Sequence, residues 1–161
     1  MICVRRLERS DMDAAFSLIW ETFLAFEAPD YGPEGVAAFR RTIIDDQAFR
    51  AACLSGENRM WGAFHGNRLI GVFGMRGPSH ICLVFSHRDY HRKGVATAIF
   101  QRLLADIRIE NPDITELTLN SSPYGLPFYH RLGFVDTAKE QIADGIRFTP
   151  MRYDLNVQEG A

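Results

Sequence analysis

The chemistry in this chain concentrates in one polar segment, Ser86-His87-Arg88-Asp89-Tyr90-His91-Arg92-Lys93-Gly94-Val95-Ala96-Thr97. An apolar run over residues 81–85 ends there, a charged turn follows, and an amphipathic pattern begins at Gly94. The first N–H groups of a helix have no intrahelical acceptor, and the helix dipole is positive at that end. Gly94 and Ala96 let an anion approach the backbone, and Arg88, Arg92 and Lys93 add positive charge. Read physically, this is a cradle for a pyrophosphate. The same residues also suit an ordinary turn between a buried strand and a helix, and the segment alone leaves both readings open. It has neither the GxGxxG nor the GxxxxGK spacing, which argues against dinucleotide-fold and P-loop nucleotide sites.

The elements that must position this turn follow from periodicity. Residues 2–7 read as a strand. Ser10, Asp11 and Asp13 form a helix start, and Met12, Phe16, Ile19, Phe23 and Phe26 recur at spacings of four and three, one face of a helix. Trp20, Phe23 and Phe26 are expected in the core. Gly32-Pro33 opens a second helix, with Val36, Phe39 and Ile43 on one side. Strands over residues 59–65 and 68–76 flank Gly66-Asn67, a hairpin turn. The unbroken apolar run 81–85 suits a central strand covered on both faces. A helix over residues 94–109 carries Val95, Ile99, Leu103 and Ile107 at four-residue intervals and ends at Asn111-Pro112. A strand over 114–120, a short helix over 125–132 ending at Gly133, and strands over 134–139 and 146–155 complete the chain. The strand–helix–strand unit from 81 to 120 requires a parallel pair joined by a right-handed crossover. The class is therefore α/β (α+β), a mixed sheet with helices on both faces.

Two motifs in this frame resemble a known family. His91-Arg92-Lys93-Gly94-Val95-Ala96 is similar to the pyrophosphate loop of the GNAT superfamily of acetyl-CoA-dependent N-acetyltransferases, written Q/R-x-x-G-x-G/A. His91 departs from it, standing where the family has Gln or Arg. Pro127-Phe128-Tyr129-His130-Arg131-Leu132-Gly133-Phe134 is similar to the F-Y-x-x-x-G-F motif near the end of that fold. A helix and a strand separate the two, as the family requires, and residues 146–155, with Pro150-Met151, resemble its closing strand. The resemblance covers nearly the whole chain, most weakly residues 30–57, and implies a single domain over residues 1–161. Its sheet is twisted, mixed and mostly antiparallel, with a splayed parallel pair at its centre.

The resemblance also implies roles. The backbone of Val84, Phe85 and Ser86 would pair with the pantetheine arm of acetyl-CoA, although plain sheet pairing competes for the same groups. Arg92, Lys93, Gly94, Val95, Ala96 and Thr97 would hold the pyrophosphate. Arg88 is placed to reach the adenosine end or stay solvated, and Asn120 to contact the arm or cap the next turn. Tyr129 resembles the general acid that serves the leaving thiolate; packing on a short helix is its other reading. An ammonium has no lone pair, so a base is also wanted. In histone-acetylating members a strand glutamate lies eleven positions before the loop's first motif residue, and His80 occupies that place here. An imidazole, with an ordinary pKa near ~6.5, suits the task. Glu21, Glu27, Asp30 and Tyr31 are further candidates, because the first helical region lines the acceptor side in this family.

The function expected is acetyl transfer from acetyl-CoA to a primary amine of unknown identity by direct attack in a ternary complex, with no metal. A non-catalytic CoA-binding regulatory module and an aminoacyl-tRNA-directed acetyltransferase are the alternatives. A formal net charge of −2 over 161 residues supplies no broad basic field, so no nucleic-acid partner is expected. Cys3, Cys53 and Cys82 suggest neither a disulfide framework nor a zinc site, and no cysteine falls in either motif. With no signal-peptide pattern after Met1 and no apolar run approaching a membrane span, a cytoplasmic protein is expected. A homodimer is a common form of the family.

Overall fold

The structure is a computed structural model, and it describes residues 1–156. The strands are β1 (Ile2–Arg6), β2 (Arg59–His65), β3 (Arg68–Arg76), β4 (His80–Ser86), β5 (Glu116–Ser121), β6 (Val135–Asp136), β7 (Gln141–Ala143) and β8 (Ile146–Asp154). The α-helices are α1 (Met12–Thr22), α2 (Pro33–Phe39), α3 (Gln47–Ser55), α4 (Val95–Glu110) and α5 (Leu126–Leu132). The sheet runs β1-β2-β3-β4-β5-β8-β6, with β7 paired to β8 off that path. Every pairing is antiparallel except β4–β5. No helix among the described residues is long and apolar enough to cross a membrane.

Two apolar clusters lie on the two faces of the sheet. One joins α4 and α5 to it through Ile99, Leu103, Ile107, Tyr129 and Leu117. The other joins α1 and α3 through Phe16, Ile19, Phe23, Phe49 and Cys53. Glycines set the contact distance: a Cβ on Gly71 of β3 would lie 2.9 Å from Ile99 Cδ1. A larger residue there would push α4, and the turn before it, away from the sheet.

The splay at the centre has a local cause. Gly74 pairs with Leu83 and Met75 with Ile81, so Cys82 is one residue too many on β4. Such a bulge bends its strand. Cys82 and Leu83 both pack against the α1 side, whereas Ile81 belongs to the α4 side. The parallel pairing with β5 covers only His80↔Thr118 and Ile81↔Leu119. Beyond it β4 and β5 diverge and leave a gap.

The sequence expectations need several corrections. Asp11, rather than Ser10, organises the start of α1: its carboxylate accepts from the Glu8 N–H at 2.7 Å and from Arg5 at 2.8 Å. The helix continues past Thr22 as a π-helical turn over Phe23–Glu27, closed by the Ala28 N–H on the Phe23 carbonyl. That extra residue per turn breaks the 3.6-residue period. Phe23 stays in the core, but Phe26 and Glu27 swing to the central gap. Helix α3 was not expected. Its signals were present, an Asp46 cap bonded to the Phe49 N–H at 2.8 Å and Gly56 with φ 86° at its end. The strand expected over 134–139 shrinks to Val135–Asp136, and β7 pairs as a separate edge.

Candidate active site

A cleft of about 780 Å³ opens along the gap between β4 and β5, lined by residues from α1, β4, the β4–α4 turn, α4, the β5–α5 turn and α5. One end is the β4–α4 turn. Arg92 and Gly94 have φ of 63° and 78°, flanking residues of ordinary conformation. Alternating handedness of this kind turns successive N–H groups toward one concavity, an anion nest. Gly94 caps the sixteen-residue α4 with no side-chain hydrogen bond, leaving the helix's first N–H groups for a ligand. A Cβ on Gly94 would meet nothing within 4 Å, so its positive φ, and not crowding, is what favours glycine there. Arg92, Gly94, Val95, Ala96 and Thr97 all line the cleft.

The exposed edge of β4 forms the next part. The His87 N–H bonds to the Ile70 carbonyl at 2.7 Å, and Phe85 pairs with Val72. Hydrogen bonding alternates along an antiparallel pair, so Phe85 directs its backbone groups to β3 while Val84 and Ser86 turn theirs to the gap. Only two of the three residues expected to bond an arm there are free to do so. The Ser86 carbonyl already accepts from His91 Nε2 at 2.9 Å. His91 Nδ1 in turn faces the Tyr124 hydroxyl at 3.2 Å. A carbonyl only accepts, so Nε2 carries the proton and Nδ1 accepts from Tyr124. His91 therefore braces the walls of the cleft with its side chain.

Glu27 and Tyr129 line the same cleft from the π turn after α1 and from α5. The Glu27 carboxyl is pushed up to about 7, first by burial and further by Asp30, while the nearby Ser122 hydroxyl pulls it down. Tyr129 is buried, and burial, then the nearby Glu27, push its phenol well above the ordinary range. The phenol therefore keeps its proton at neutral pH and has an O–H to donate. The mutual influence of Glu27, Tyr129 and Tyr31 places a proton acceptor and a proton donor in one neighbourhood.

The remaining candidates lie elsewhere. His80 is at the far end of β4, roughly 20 Å along the strand from Ser86. Its Nδ1 is 2.8 Å from Thr118 Oγ1, and burial, then Arg76, lowers its pKa. It does not line the cleft, so its proposed position as base is corrected: the matching strand place falls where β4 and β5 still pair. Lys93 is exposed, with its ammonium 5.8 Å from the Tyr90 ring centre, and Asn120 pairs with Pro150 on β8; neither lines the cleft. Arg88, Glu21, Asp30 and Tyr31 are also outside the lining. Phe26, Ser122, Tyr124 and Arg131 line it without having been expected to. Phe26 escaped because a π turn leaves no periodic signature, and the Ser121-Ser122-Pro123-Tyr124-Gly125 turn was the available pointer to Ser122 and Tyr124.

The comparisons with known proteins agree with this fold. The acetyltransferase (GNAT) domain family matches residues 27–155, and the chain belongs to that family. It is an acyltransferase by that membership. Escherichia coli K12 holds a relative named uncharacterized N-acetyltransferase YafP, 27% identical over 156 residues, covering 94% of this chain and 95% of that protein. Among solved structures, a GCN5-related N-acetyltransferase from Rhodopseudomonas palustris superposes with a TM-score of 0.80 at 23% identity, over 94% of both chains. The PaiA N-acetyltransferase from Thermoplasma acidophilum, solved in complex with coenzyme A, superposes with a TM-score of 0.75 at 18% identity, over 96% of this chain and 99% of that one. Both establish the likeness of fold.

Proposed function

We propose that the protein transfers an acetyl group from acetyl-CoA to a primary amine by direct attack within a ternary complex. One observation carries the reading: a single cleft holds an anion nest, a free strand edge and the Glu27–Tyr129 neighbourhood. The nest suits the pyrophosphate. The free N–H and C=O groups of Val84 and the N–H of Ser86 suit the amides of the pantetheine arm, which would lie as an extra strand in the gap. The relative solved with coenzyme A bound supports this choice of donor.

Glu27 takes the proton as the amine nitrogen bonds to the thioester carbonyl carbon; a carboxyl near 7 is half ionised at neutral pH, as a general base should be. The tetrahedral intermediate then breaks its C–S bond. The Tyr129 O–H donates a hydrogen bond to the departing sulfur and so stabilises the developing thiolate. Its raised pKa makes full proton transfer uphill, so its main contribution is that hydrogen bond. Direct attack, rather than an acyl-cysteine, is supported by Cys82. That thiol is pushed up to about 12 by burial and donates to the Gly74 carbonyl at 3.6 Å, which leaves it un-ionised and a poor nucleophile. Thiol release from acetyl-CoA, measured across a panel of chemically varied amines, tests the reading. Amine-dependent release is the expected result, and none with any amine would overturn it.

A further inference from the structure

We infer that the acceptor is an alkyl or arylalkyl amine with no anionic group beside its nitrogen; this deepens the proposed acetyl transfer and rests on it. The acceptor must bring its nitrogen to Glu27, and two features of the surrounding walls restrict what can arrive there.

The first is aromatic. Phe26, the residue before Glu27, stacks on Tyr124 with ring centres 5.3 Å apart and planes 29° apart. The His91 ring packs on Phe26 at 4.4 Å. The Tyr124–His91–Ser86 hydrogen bonds tie this wall to β4, so it is a fixed surface. All four residues line the cleft, and Tyr124 leaves 50% of its surface exposed, an aromatic surface against Phe26, the chain neighbour of Glu27. Such a face favours an apolar body and attracts an ammonium.

The second is charge. Among the described residues, Glu27 has Asp30 as its charged neighbour, and burial and the Ser122 hydroxyl are its other influences. Among the described residues, the arginines lining the cleft are Arg92, in the anion nest, and Arg131, in the last turn of α5. Arg147, near Tyr31, is committed to Glu140 by contacts of 3.2 Å. A carboxylate on the carbon bearing the amine would sit within contact distance of ionised Glu27, whose charged influence is a second carboxylate, Asp30. Like charges at that range in a partly wet site discriminate by about 10²- to 10³-fold. An α-amino acid is therefore a poor acceptor.

The test compares 2-phenylethylamine, L-phenylalanine and L-phenylalanine amide as acceptors at saturating acetyl-CoA. They share ring and spacing, and the amide matches the bulk of the carboxylate without its charge. The amine and the amide should exceed the amino acid in kcat/KM by about 10²-fold or more. Phe26→Ala should lower kcat/KM for 2-phenylethylamine more than for ethylamine. Equal turnover of L-phenylalanine and its amide would overturn the inference while leaving acetyl transfer intact. So would amine-dependent thiol release confined to acceptors carrying a carboxylate. Absence of release with every amine would overturn the parent reading instead.

Discussion

Gly125 and Tyr129 stand so close that a Cβ on the glycine would lie 2.9 Å from Tyr129 Cε2. Gly125 has an ordinary φ of −83°, so its need for glycine comes from this contact and not from its backbone conformation. Gly125→Ala should push the tyrosine ring from its seat between Phe128 and Phe134. Overpacking of this kind typically costs about 1–3 kcal/mol, and ~1 Å of displacement at a reacting group can lower turnover about 10²-fold. Thermal melting and kcat should both fall, with CoA affinity retained; an unchanged kcat would show that Tyr129 need not be held there.

Tyr129→Phe removes the hydroxyl and keeps the ring packing. It should lower kcat by about 10²-fold, the lower end of the range for losing one hydrogen-bond donor to a charge that develops in the transition state, because water can partly substitute. CoA affinity should remain near wild type. A full-rate variant, under conditions where chemistry limits, would reduce Tyr129 to a packing residue.

Gly94 separates charge from strain. Its φ of 78° makes alanine and glutamate bear a similar backbone cost of roughly 1–2 kcal/mol, and there is open space for either Cβ. Only glutamate places a negative charge where the proposed pyrophosphate site lies, at a cost of about 4 kcal/mol for charges near 4 Å. Calorimetry should show Gly94→Ala binding CoA weakly and Gly94→Glu losing about a further 10³-fold. Equal affinities for the two variants would remove the phosphate from this nest.

Much of the architecture was legible because it is written in local patterns. The Gly66-Asn67 hairpin, the four-residue repeat through Val95, Ile99, Leu103 and Ile107, and the helix end at Gly133 each follow from nearest neighbours. The turn that opens α4 was legible for the same reason, since Arg92 to Thr97 is one continuous stretch of chain. The acceptor end was not. Glu27 was one of five base candidates, and what singles it out is a π turn at Phe23–Glu27, its burial, and Ser122 from a distant turn. His80 was placed by counting along a strand, but the bulge at Cys82 and the short parallel pairing decide which β4 residues face the gap. Phe85 failed as an arm contact because strand alternation commits its backbone to β3.

Burying Glu27 should also leave a mark on stability. Its carboxyl binds a proton more tightly in the folded state, at about 7, than at its ordinary 4.5. Between those values the folded state holds more protons than the unfolded one, so stability falls as pH rises through that window. Glu27→Gln lacks this loss. Its melting temperature should draw ahead of wild type as pH rises from 4.5 to about 7 and keep a constant lead above that. A lead that does not change with pH would mean the carboxyl titrates as if exposed.

The assignment of Glu27 as base is tested most directly by the pH dependence of kcat/KM, measured with two amines of different pKa for wild type, Glu27→Gln and His80→Ala. The wild-type rate should rise through an ionisation near 7 that stays fixed when the amine is changed, while the limb belonging to the amine moves. Glu27→Gln should lose the fixed limb and about 10²-fold or more of the rate, and His80→Ala should keep both. A Glu27→Gln enzyme that retained the wild-type limb and rate would contradict the account, most plainly if His80→Ala then lost them.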